Sequence, residues 1–260
     1  MPGISRTPSS SDFTRREAAI VAASRLIKDG DAVFIGQGLP VIASLLAKRN
    51  HARKSVIMHE YGVVDTDPPY ALELAHSIFA EHAIYQGDMI DALGCFVYHS
   101  DIAILGAAQI DRFGNINTTT IGGYLKPKLR ISGSGGGNDI GSLAPKLLVV
   151  MDKQDKNRFP EKVDYVTTPG YLEGNNERGN LNLPGSGPTA VVTDLGIYDF
   201  IKDSREMRLR SLQPGVSLSE VRLRTGWKIK VAKSVHRLMR PTNEEIKLLR
   251  SLDTEGIYLR

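Results

Sequence analysis

The 260-residue sequence has one cysteine, one tryptophan and no long run of apolar residues. The single cysteine, Cys95, excludes a disulfide within the chain and a zinc site built from clustered cysteines, and it favours a reducing compartment. Cys95 lies within the apolar run from Ala92 to Val97, so we expect a small buried side chain rather than a reactive thiol. No stretch approaches the roughly 20 apolar residues of a membrane-spanning helix. The Pro- and Ser-rich N-terminus lacks the apolar region of a signal peptide, and we therefore expect a cytoplasmic protein.

Several catalytic signatures are missing as well. The chain has no Gly-x-Ser-x-Gly elbow, and its six histidines stand in no catalytic motif, which argues against serine–histidine hydrolase chemistry. It has no His-x-x-x-His pair and no carboxylate-rich cluster, so we predict no metal site. The net charge of +4 is modest, and the basic residues are spread along the chain without interleaved aromatics. These features argue against nucleic acid as a partner and leave an anionic ligand or a second subunit.

What the sequence does contain is a repeated order of apolar strand, glycine turn and helix. A hydrophobic content of 41% and a charged content of 24% suit a soluble globular domain. The near-continuous apolar runs are typical of strands covered on both faces, so we predict an α/β fold with a doubly wound, mostly parallel sheet. We expect residues 1–11 to be disordered and residues 12–260 to form a single domain.

The periodicities predict individual elements along this domain. Helices are expected from a cap at Asp12 or Thr14 to about Lys28, from Val41 to about Lys48, from Ser217 to about Arg224, and from near Thr242 onward. The predicted strands are Ala32–Ile35, Ser55–His59, Ile102–Leu105, Leu147–Met151, Tyr165–Thr168 and Ala190–Thr193.

Glu60 stands where the second of these strands runs into a glycine turn. Ligands of open α/β sheets bind outside the carboxyl ends of the strands. A carboxylate at that position can act as a base, a metal ligand or a nucleophile, and it can equally be a solvated or capping residue. The adjacent His59 is expected to face the opposite side, because neighbouring residues of a strand do so.

Two glycine-rich turns and one polar loop accompany this carboxylate. Gly36-Gln37-Gly38 lacks the third glycine of a dinucleotide-binding pattern, so a tight turn explains it equally well. The run 132–138 has four glycines in five positions, which allows close backbone approach to an anion or oxyanion but also suits a flexible linker. Gln109 and Asn115 follow a strand end, where they can bind substrate or satisfy loop backbone.

With these motifs in view, the sequence resembles class I CoA-transferases, and within them the β subunit of glutaconate CoA-transferase. The likeness extends from about residue 14 to 250. It is carried by Gly36-Gln37-Gly38-Leu39-Pro40, by Gly106-Ala107-Ala108-Gln109-Ile110-Asp111 with Gly114-Asn115-Ile116-Asn117, by Gly133-Ser134-Gly135-Gly136, and by Lys162-Val163-Asp164-Tyr165-Val166-Thr167 with Pro169-Gly170 and Val191-Val192-Thr193-Asp194.

The resemblance implies the CoA-transferase and ribose-phosphate isomerase-like type of α/β fold, with Glu60 as the nucleophile. The family's nucleophile stands in a Glu-Ser-Gly or Glu-Asn-Gly motif, and this chain has Tyr61 at the central position, which changes the expected acyl pocket. The resemblance further implies a glutamyl-CoA thioester on Glu60, with Gly135, Gly136 and Gly137 as backbone donors to an oxyanion or to CoA. Tyr61, Gln109 and Asn115 are the candidate pocket residues, and coenzyme A enters as a substrate, with no cofactor.

Enzymes of this family need an α subunit of similar fold, so we expect a hetero-oligomer whose active site lies between the two chains. The acyl group is expected to be short or dicarboxylic. Three alternatives remain open. One is an acyl-CoA hydrolase or decarboxylase on the same fold, of a kind that lacks the glutamate. The others are a sugar-phosphate isomerase on the related fold and a non-catalytic CoA-binding module.

Overall fold

The computed structural model describes residues 12–71 and 79–260, so the segment 1–11, predicted to be disordered, lies outside the described residues. Along the described chain the strands are β1 (Ala32–Ile35), β2 (Val56–His59), β3 (Val63–Val64), β4 (Tyr85–Gln86), β5 (Ile102–Gly106), β6 (Gln109–Ile110), β7 (Ile116–Asn117), β8 (Thr120–Gly122), β9 (Pro127–Arg130), β10 (Leu147–Val150), β11 (Pro188–Val192), β12 (Gly196–Phe200), β13 (Met207–Leu212) and β14 (Lys230–Arg237).

Ten of these strands form one sheet in the order β14-β13-β12-β11-β10-β5-β1-β2-β3-β4. The five central strands, from β11 to β2, run parallel to one another. Antiparallel pairs attach the outer strands on both sides. The predicted mostly parallel α/β sheet is therefore confirmed, with antiparallel pairs on both sides of the central strands that the sequence did not reveal.

The helices are α1 (Arg15–Ser24), α2 (Leu39–Asn50), α3 (Met89–Asp91), a π-helical turn (Ala92–Phe96), α4 (Val97–His99), α5 (Gly137–Leu143), α6 (Glu177–Asn180), α7 (Leu218–Leu223) and α8 (Asn243–Leu252). Capping boxes start α1 at Thr14 and α8 at Thr242. In each, the threonine hydroxyl accepts from the backbone N–H of a glutamate three residues on, and the glutamate carboxylate accepts from the backbone N–H of the threonine. Helix α1 ends at Ser24, before the predicted end near Lys28.

Each face of the sheet packs into its own hydrophobic core. Successive residues of β1 show the alternation, since Val33 and Ile35 join the core with α1, α2 and α8, whereas Phe34 joins the core with α5 and α7. All three side chains are fully buried. The sheet is covered on both faces, as its continuous apolar strands predicted.

The predicted strand Tyr165–Thr168 was wrong. Only Thr168 makes a β-bridge, an isolated one to Ile116. Thr167 bonds the turn after β7 instead, since its N–H donates to Ile116 O at 2.9 Å and its hydroxyl accepts from Thr118 N–H at 3.0 Å. Tyr165 and Val166 are exposed, because no neighbouring strand continues a ladder beside them.

The expectation of a buried Cys95 was also wrong. The run from Ala92 to Val97 is helical rather than extended, so only part of it faces the core. Ala92 and Val97 are fully buried, while Cys95 points outward and is exposed. Within residues 12–71 and 79–260, no helix has the length and apolar content needed to cross a membrane.

Candidate active site

Glu60 follows the last residue of β2, where the carboxyl ends of the parallel strands β5, β1 and β2 lie side by side. The turn after β1 begins at Gly36, whose N–H donates to Ile104 O of β5 at 3.0 Å. A cavity of about 300 Å³ opens between these strand ends. Its lining is formed by Gly36, Gln37, Glu60, Leu105, Gly106, Thr118, Ser132, Gly133, Ser134, Gly135, Gly137 and Thr168. The site therefore lies where open α/β sheets bind ligands.

The carboxyl group of Glu60 is partly withdrawn from water. Burial raises the pKa of Glu60 above the usual value for a glutamate, while hydrogen bonds from the Gly136 backbone and the Gln37 side chain act in the opposite direction. A carboxylate that is poorly hydrated yet held by two donors is suited to attack an electrophile, because little water has to be removed first.

The glycine run predicted from the sequence forms the wall opposite this carboxylate. Gly136 is buried, and a β-carbon there would lie 3.0 Å from Glu60 Oε2 and 2.5 Å from Leu93 Cδ2. Gly135 has φ of +48°, a left-handed conformation that favours glycine. The Gly137 N–H donates to Ser134 O at 2.7 Å, so it is already engaged within the loop. The structure thus brings Gly136 to Glu60, and the oxyanion role of the three glycines stays a prediction.

His59 faces away from the cavity, as the strand alternation predicted. The ring is buried against Phe79, with Nε2 3.0 Å from Thr66 Oγ1 and Nδ1 3.1 Å from the Tyr61 hydroxyl. Burial lowers the pKa of His59 to about 4, so the ring is neutral near pH 7. His59 supports the turn that carries Glu60 and does not point toward the carboxylate.

The three candidate pocket residues, Tyr61, Gln109 and Asn115, do not line the Glu60 cavity. Tyr61 packs on the His59 side of the sheet and is absent from the cavity lining. Gln109 is buried, and its amide donates to Asn157 O at 3.0 Å. Asn115 is also buried and bonds Asp111 and the Leu172 carbonyl. Both amides hold the loop backbone in this chain, and their contact with substrate stays a prediction.

Some residues of the site were not predicted from the sequence. Gln37 was part of a noted glycine turn, and its position between a strand and a helix was the available signal. Thr118 and Thr168 line the cavity from loops next to the motifs of the family likeness, but neither threonine was predicted as a site residue. No group of three or more histidine, cysteine, aspartate or glutamate side chains suits a metal ion in the part of the chain that the structure describes.

A larger cavity of about 520 Å³ shares Gln37 with the Glu60 cavity and contains Asp152. This carboxylate is paired with Arg16 at 2.6 Å and with Arg158 at 2.7 Å. A carboxylate held by two guanidinium groups is a poor nucleophile, because both ion pairs would have to be broken before it could attack. The carboxylate better suited to act as a nucleophile is therefore Glu60, in the smaller cavity.

Comparisons with known proteins identify the family of this chain. Residues 16–223 match the family model described as coenzyme A transferase. The chain is 38% identical to one subunit of the 3-oxoadipate CoA-transferase of Pseudomonas knackmussii over 94% of both chains. It is 36% identical to one subunit of the glutaconate CoA-transferase of Acidaminococcus fermentans over 92% of both. The solved glutaconate coenzyme A-transferase of that organism superposes with a TM-score of 0.88 at 33% identity, covering 96% of this chain and 98% of the other.

A more distant relative differs in length. The mitochondrial succinyl-CoA:3-ketoacid coenzyme A transferase 2A of Rattus norvegicus is 26% identical over 86% of this chain, but the match spans only 42% of that protein. This chain therefore corresponds to less than half of that relative.

Proposed function

The chain belongs to the coenzyme A transferase family, and from that premise we propose that it is the subunit that carries the nucleophile, Glu60, of a two-chain CoA-transferase. The observation that carries the proposal is the position of Glu60, partly buried at the carboxyl end of β2, bonded by the Gly136 backbone, and lining a cavity of about 300 Å³ together with the glycine loop. A carboxylate nucleophile suits transfer because its acyl derivatives are about as reactive as a thioester.

The proposed reaction begins with attack of the Glu60 carboxylate on the thioester carbonyl of an acyl-CoA. The C–S bond breaks, and a mixed anhydride and CoA thiolate result. The thiolate then attacks the glutamyl carbonyl of the anhydride, which releases the first acid as a carboxylate and leaves a glutamyl-CoA thioester. An acceptor carboxylate reverses these steps and departs as the new acyl-CoA. No proton is gained or lost overall, so the site needs no general base.

Each tetrahedral step places negative charge on a former carbonyl oxygen. The Gly136 backbone and the Gln37 side chain already donate to the Glu60 carboxyl group, and they are placed to hold the oxyanion that forms there. The glutamyl thioester must also be kept from water, because hydrolysis would dissipate its energy. Coenzyme A is a substrate in this scheme, with no resident cofactor.

The names of the similar proteins support an acid with two carboxyl groups, because one relative acts on 3-oxoadipate and another on glutaconate. Each of the two is also named as a single subunit of its enzyme, which supports an α subunit as the second chain. Hydrolysis or decarboxylation on the same fold is the second candidate reaction. Retention of the carboxylate in the cavity favours transfer, because neither alternative reaction calls for a glutamyl-CoA thioester.

The test is mass spectrometry of the chain co-purified with its partner, after incubation with a panel of acyl-CoAs and trapping with borohydride. We expect a CoA adduct on the Glu60 peptide, or the alcohol formed by its reduction, and no such species in Glu60→Gln. Consumption of acyl-CoA without a trapped Glu60 species would reject the transfer mechanism, and the free acid or released carbon dioxide would then identify hydrolysis or decarboxylation.

A further inference from the structure

The hydroxyl side chains that line the Glu60 cavity differ in burial and in bonding. They belong to Thr118, Ser132, Ser134 and Thr168. Ser132 and Ser134 are exposed, and the Thr118 hydroxyl already donates to Gly133 O at 2.7 Å. Thr168 is only 1% exposed, and its hydroxyl has no hydrogen-bond partner within residues 12–71 and 79–260. Because buried polar groups are normally hydrogen-bonded, this hydroxyl calls for a partner that enters the cavity.

The Thr168 hydroxyl is open to the cavity rather than sealed within the core. Among the described residues, the side-chain polar atoms that are fully enclosed without a partner are Ser44 Oγ and Trp227 Nε1. Thr168 Oγ1 is not one of these atoms, although the residue as a whole is buried. Its oxygen therefore keeps an open side, and the space on that side is the Glu60 cavity that Thr168 lines.

Consecutive residues at the start of α5 contact the nucleophile and this hydroxyl. A β-carbon on Gly136 would lie 3.0 Å from Glu60 Oε2, and one on Gly137 would lie 2.9 Å from Thr168 Oγ1. Glu60 and Thr168 therefore reach the same turn of the chain from two sides, and both line a cavity of only about 300 Å³. An acyl group within reach of the nucleophile consequently lies beside the Thr168 hydroxyl.

The orientation of the hydroxyl is fixed by the rest of the residue. A β-carbon on Gly141 would overlap Thr168 Cγ2, so the methyl group packs closely against α5, one turn beyond Gly137. The Thr168 N–H donates to Ile116 O at 3.1 Å, and the Thr168 carbonyl accepts from Ile116 N–H at 3.0 Å. Pro169 further restricts this backbone, and threonine is stiff at χ1. The hydroxyl is thus held in place before any ligand enters, as a catalytic donor must be.

One charged atom of the proposed reaction still lacks a donor. When Glu60 attacks the thioester, negative charge develops on the acyl oxygen of the substrate, whereas Gly136 and Gln37 bond the carboxyl group of Glu60 itself. We propose that the Thr168 hydroxyl donates a hydrogen bond to this acyl oxygen and is a catalytic residue. The inference rests on the proposed function for the identity of the attacking group. The hydroxyl keeps its proton, and no covalent bond forms or breaks at Thr168.

The test compares Thr168→Val with Thr168→Ser in the chain co-purified with its partner. Valine keeps the methyl group against Gly141 and removes the hydroxyl, whereas serine keeps the hydroxyl and removes the methyl group. A role in catalysis and a role in packing therefore predict opposite orders for the two variants. Thr189→Val is the matched control, because Thr189 is exposed near the start of β11, at the end of the sheet away from the site.

Consumption of acyl-CoA is measured with glutaryl-CoA, whose acyl group carries a second carboxylate, and with whichever acyl-CoA of the panel the wild type consumes fastest. We expect Thr168→Val to lower kcat about 100-fold, because loss of one donor to an oxyanion typically costs that much. KM should change little, since the hydrogen bond strengthens as the charge develops. Thr168→Ser should keep most of the activity but melt at a lower temperature, and Thr189→Val should have the wild-type kcat.

A wild-type kcat in Thr168→Val would overturn the inference. So would equal losses of activity in both Thr168 variants that follow their melting temperatures, because packing alone would then explain them. If the wild type consumes acyl-CoA without a trapped Glu60 species, the transfer mechanism fails, and Thr168 keeps its role only if Thr168→Val still slows consumption. If Thr168→Val forms the Glu60–CoA thioester at the wild-type rate, the hydroxyl is not the donor and the transfer mechanism stands.

Discussion

A β-carbon on Gly136 would lie 3.0 Å from Oε2 of Glu60, so the backbone of one residue lies directly against the carboxylate of the other. The contact joins the start of α5 to the end of β2, two segments far apart in sequence. It explains why a glycine is needed at this position even though its φ of −79° is open to any residue. The constraint is steric and arises from Leu93 Cδ2 at 2.5 Å together with the nucleophile at 3.0 Å.

This relationship predicts the behaviour of Gly136→Ala. The new methyl group would lie 2.5 Å from Leu93 Cδ2, which must shift, and 3.0 Å from Glu60 Oε2, which must give way by a few tenths of an ångström. We expect transfer activity to fall about tenfold, since a displacement of about 1 Å can cost about 100-fold and this one is a few tenths of an ångström. Steady-state kinetics of the assembled enzyme measure it.

Gly123→Ala is the matched control, because a β-carbon there meets nothing within 4 Å. Its activity should equal that of the wild type. Equal activities for Gly136→Ala and Gly123→Ala would show that the Gly136 backbone does not constrain the nucleophile.

Glu60→Gln should have opposite effects on activity and stability. Removing the nucleophile should lower transfer at least about 1000-fold. Because burial raises the pKa of Glu60, the folded protein binds a proton at this site more readily than the unfolded chain does. The ionised carboxylate therefore destabilises the fold at neutral pH, and the neutral amide should raise the melting temperature.

The gain in melting temperature should shrink as the pH falls through the raised folded pKa of Glu60, and it should be absent below the ordinary glutamate pKa, where wild-type Glu60 is protonated in both states. Calorimetry of the two proteins at several pH values measures it. A melting temperature for Glu60→Gln that is lower than that of the wild type at pH 7 would contradict the inference that the ionised Glu60 carboxylate destabilises the fold.

How far the sequence predicts this site depends on how local each signal is. Glu60 was identifiable because a strand and a turn mark it within five residues of chain. The Gln37 contact was not, because it joins the ends of β1 and β2, and strand order cannot be obtained from periodicity. Gln109 and Asn115 have the residue types expected of a pocket, but their hydrogen bonds go to loop backbone.

The same distinction applies to the fold. The buried parallel strands were predicted because each is a nearly unbroken apolar run. Strand β14 was missed, since its residues Lys230–Arg237 are mostly exposed and carry several charges, and its pairing with β13 cannot be read from the sequence. The opposite error occurred at Tyr165 and Val166, which were predicted to form a strand. Their residue types favour strands, but they lie on an exposed loop where no ladder forms.

His59 should make the protein sensitive to mild acid. Its folded pKa of about 4 is below the ordinary 6.5, so the neutral ring is favoured in the folded state. The stability from this site is complete above pH 6.5 and is lost as the pH falls toward 4, by about 2 kcal/mol at pH 5.

His59→Gln should lose less stability than the wild type between pH 7 and pH 5, although it starts from a lower value because the contacts to Thr66 and Tyr61 change. Urea unfolding at the two pH values measures the difference. The exposed His236 provides the control, since His236→Gln should follow the wild-type profile. An equal loss in His59→Gln and the wild type would show that His59 does not cause the acid sensitivity.

Arg178 should be more important for stability than any surface arginine. Its side chain is buried, and no carboxylate pairs with it among the described residues. The guanidinium group instead donates to five backbone carbonyls, those of Gly141, Ser142, Pro169, Gly170 and Gly185. Two of these acceptors lie in the last turn of α5, where helix carbonyls lack partners within the helix. Arg178 therefore fixes the helix whose first turn faces Glu60.

Arg178→Met should lower the free energy of unfolding by at least about 3 kcal/mol, because several buried carbonyls would lose their donor at once. Arg178→Lys should recover only part of this loss, since an ammonium group cannot reach five acceptors arranged around a planar fork. Arg112→Met is the control, because Arg112 pairs with Glu161 on the surface and its removal should cost about 1 kcal/mol or less. Urea unfolding compares the three variants. A similar cost for Arg178→Met and Arg112→Met would show that the carbonyl cluster does not depend on the buried arginine, and α5 would then owe its position to packing alone.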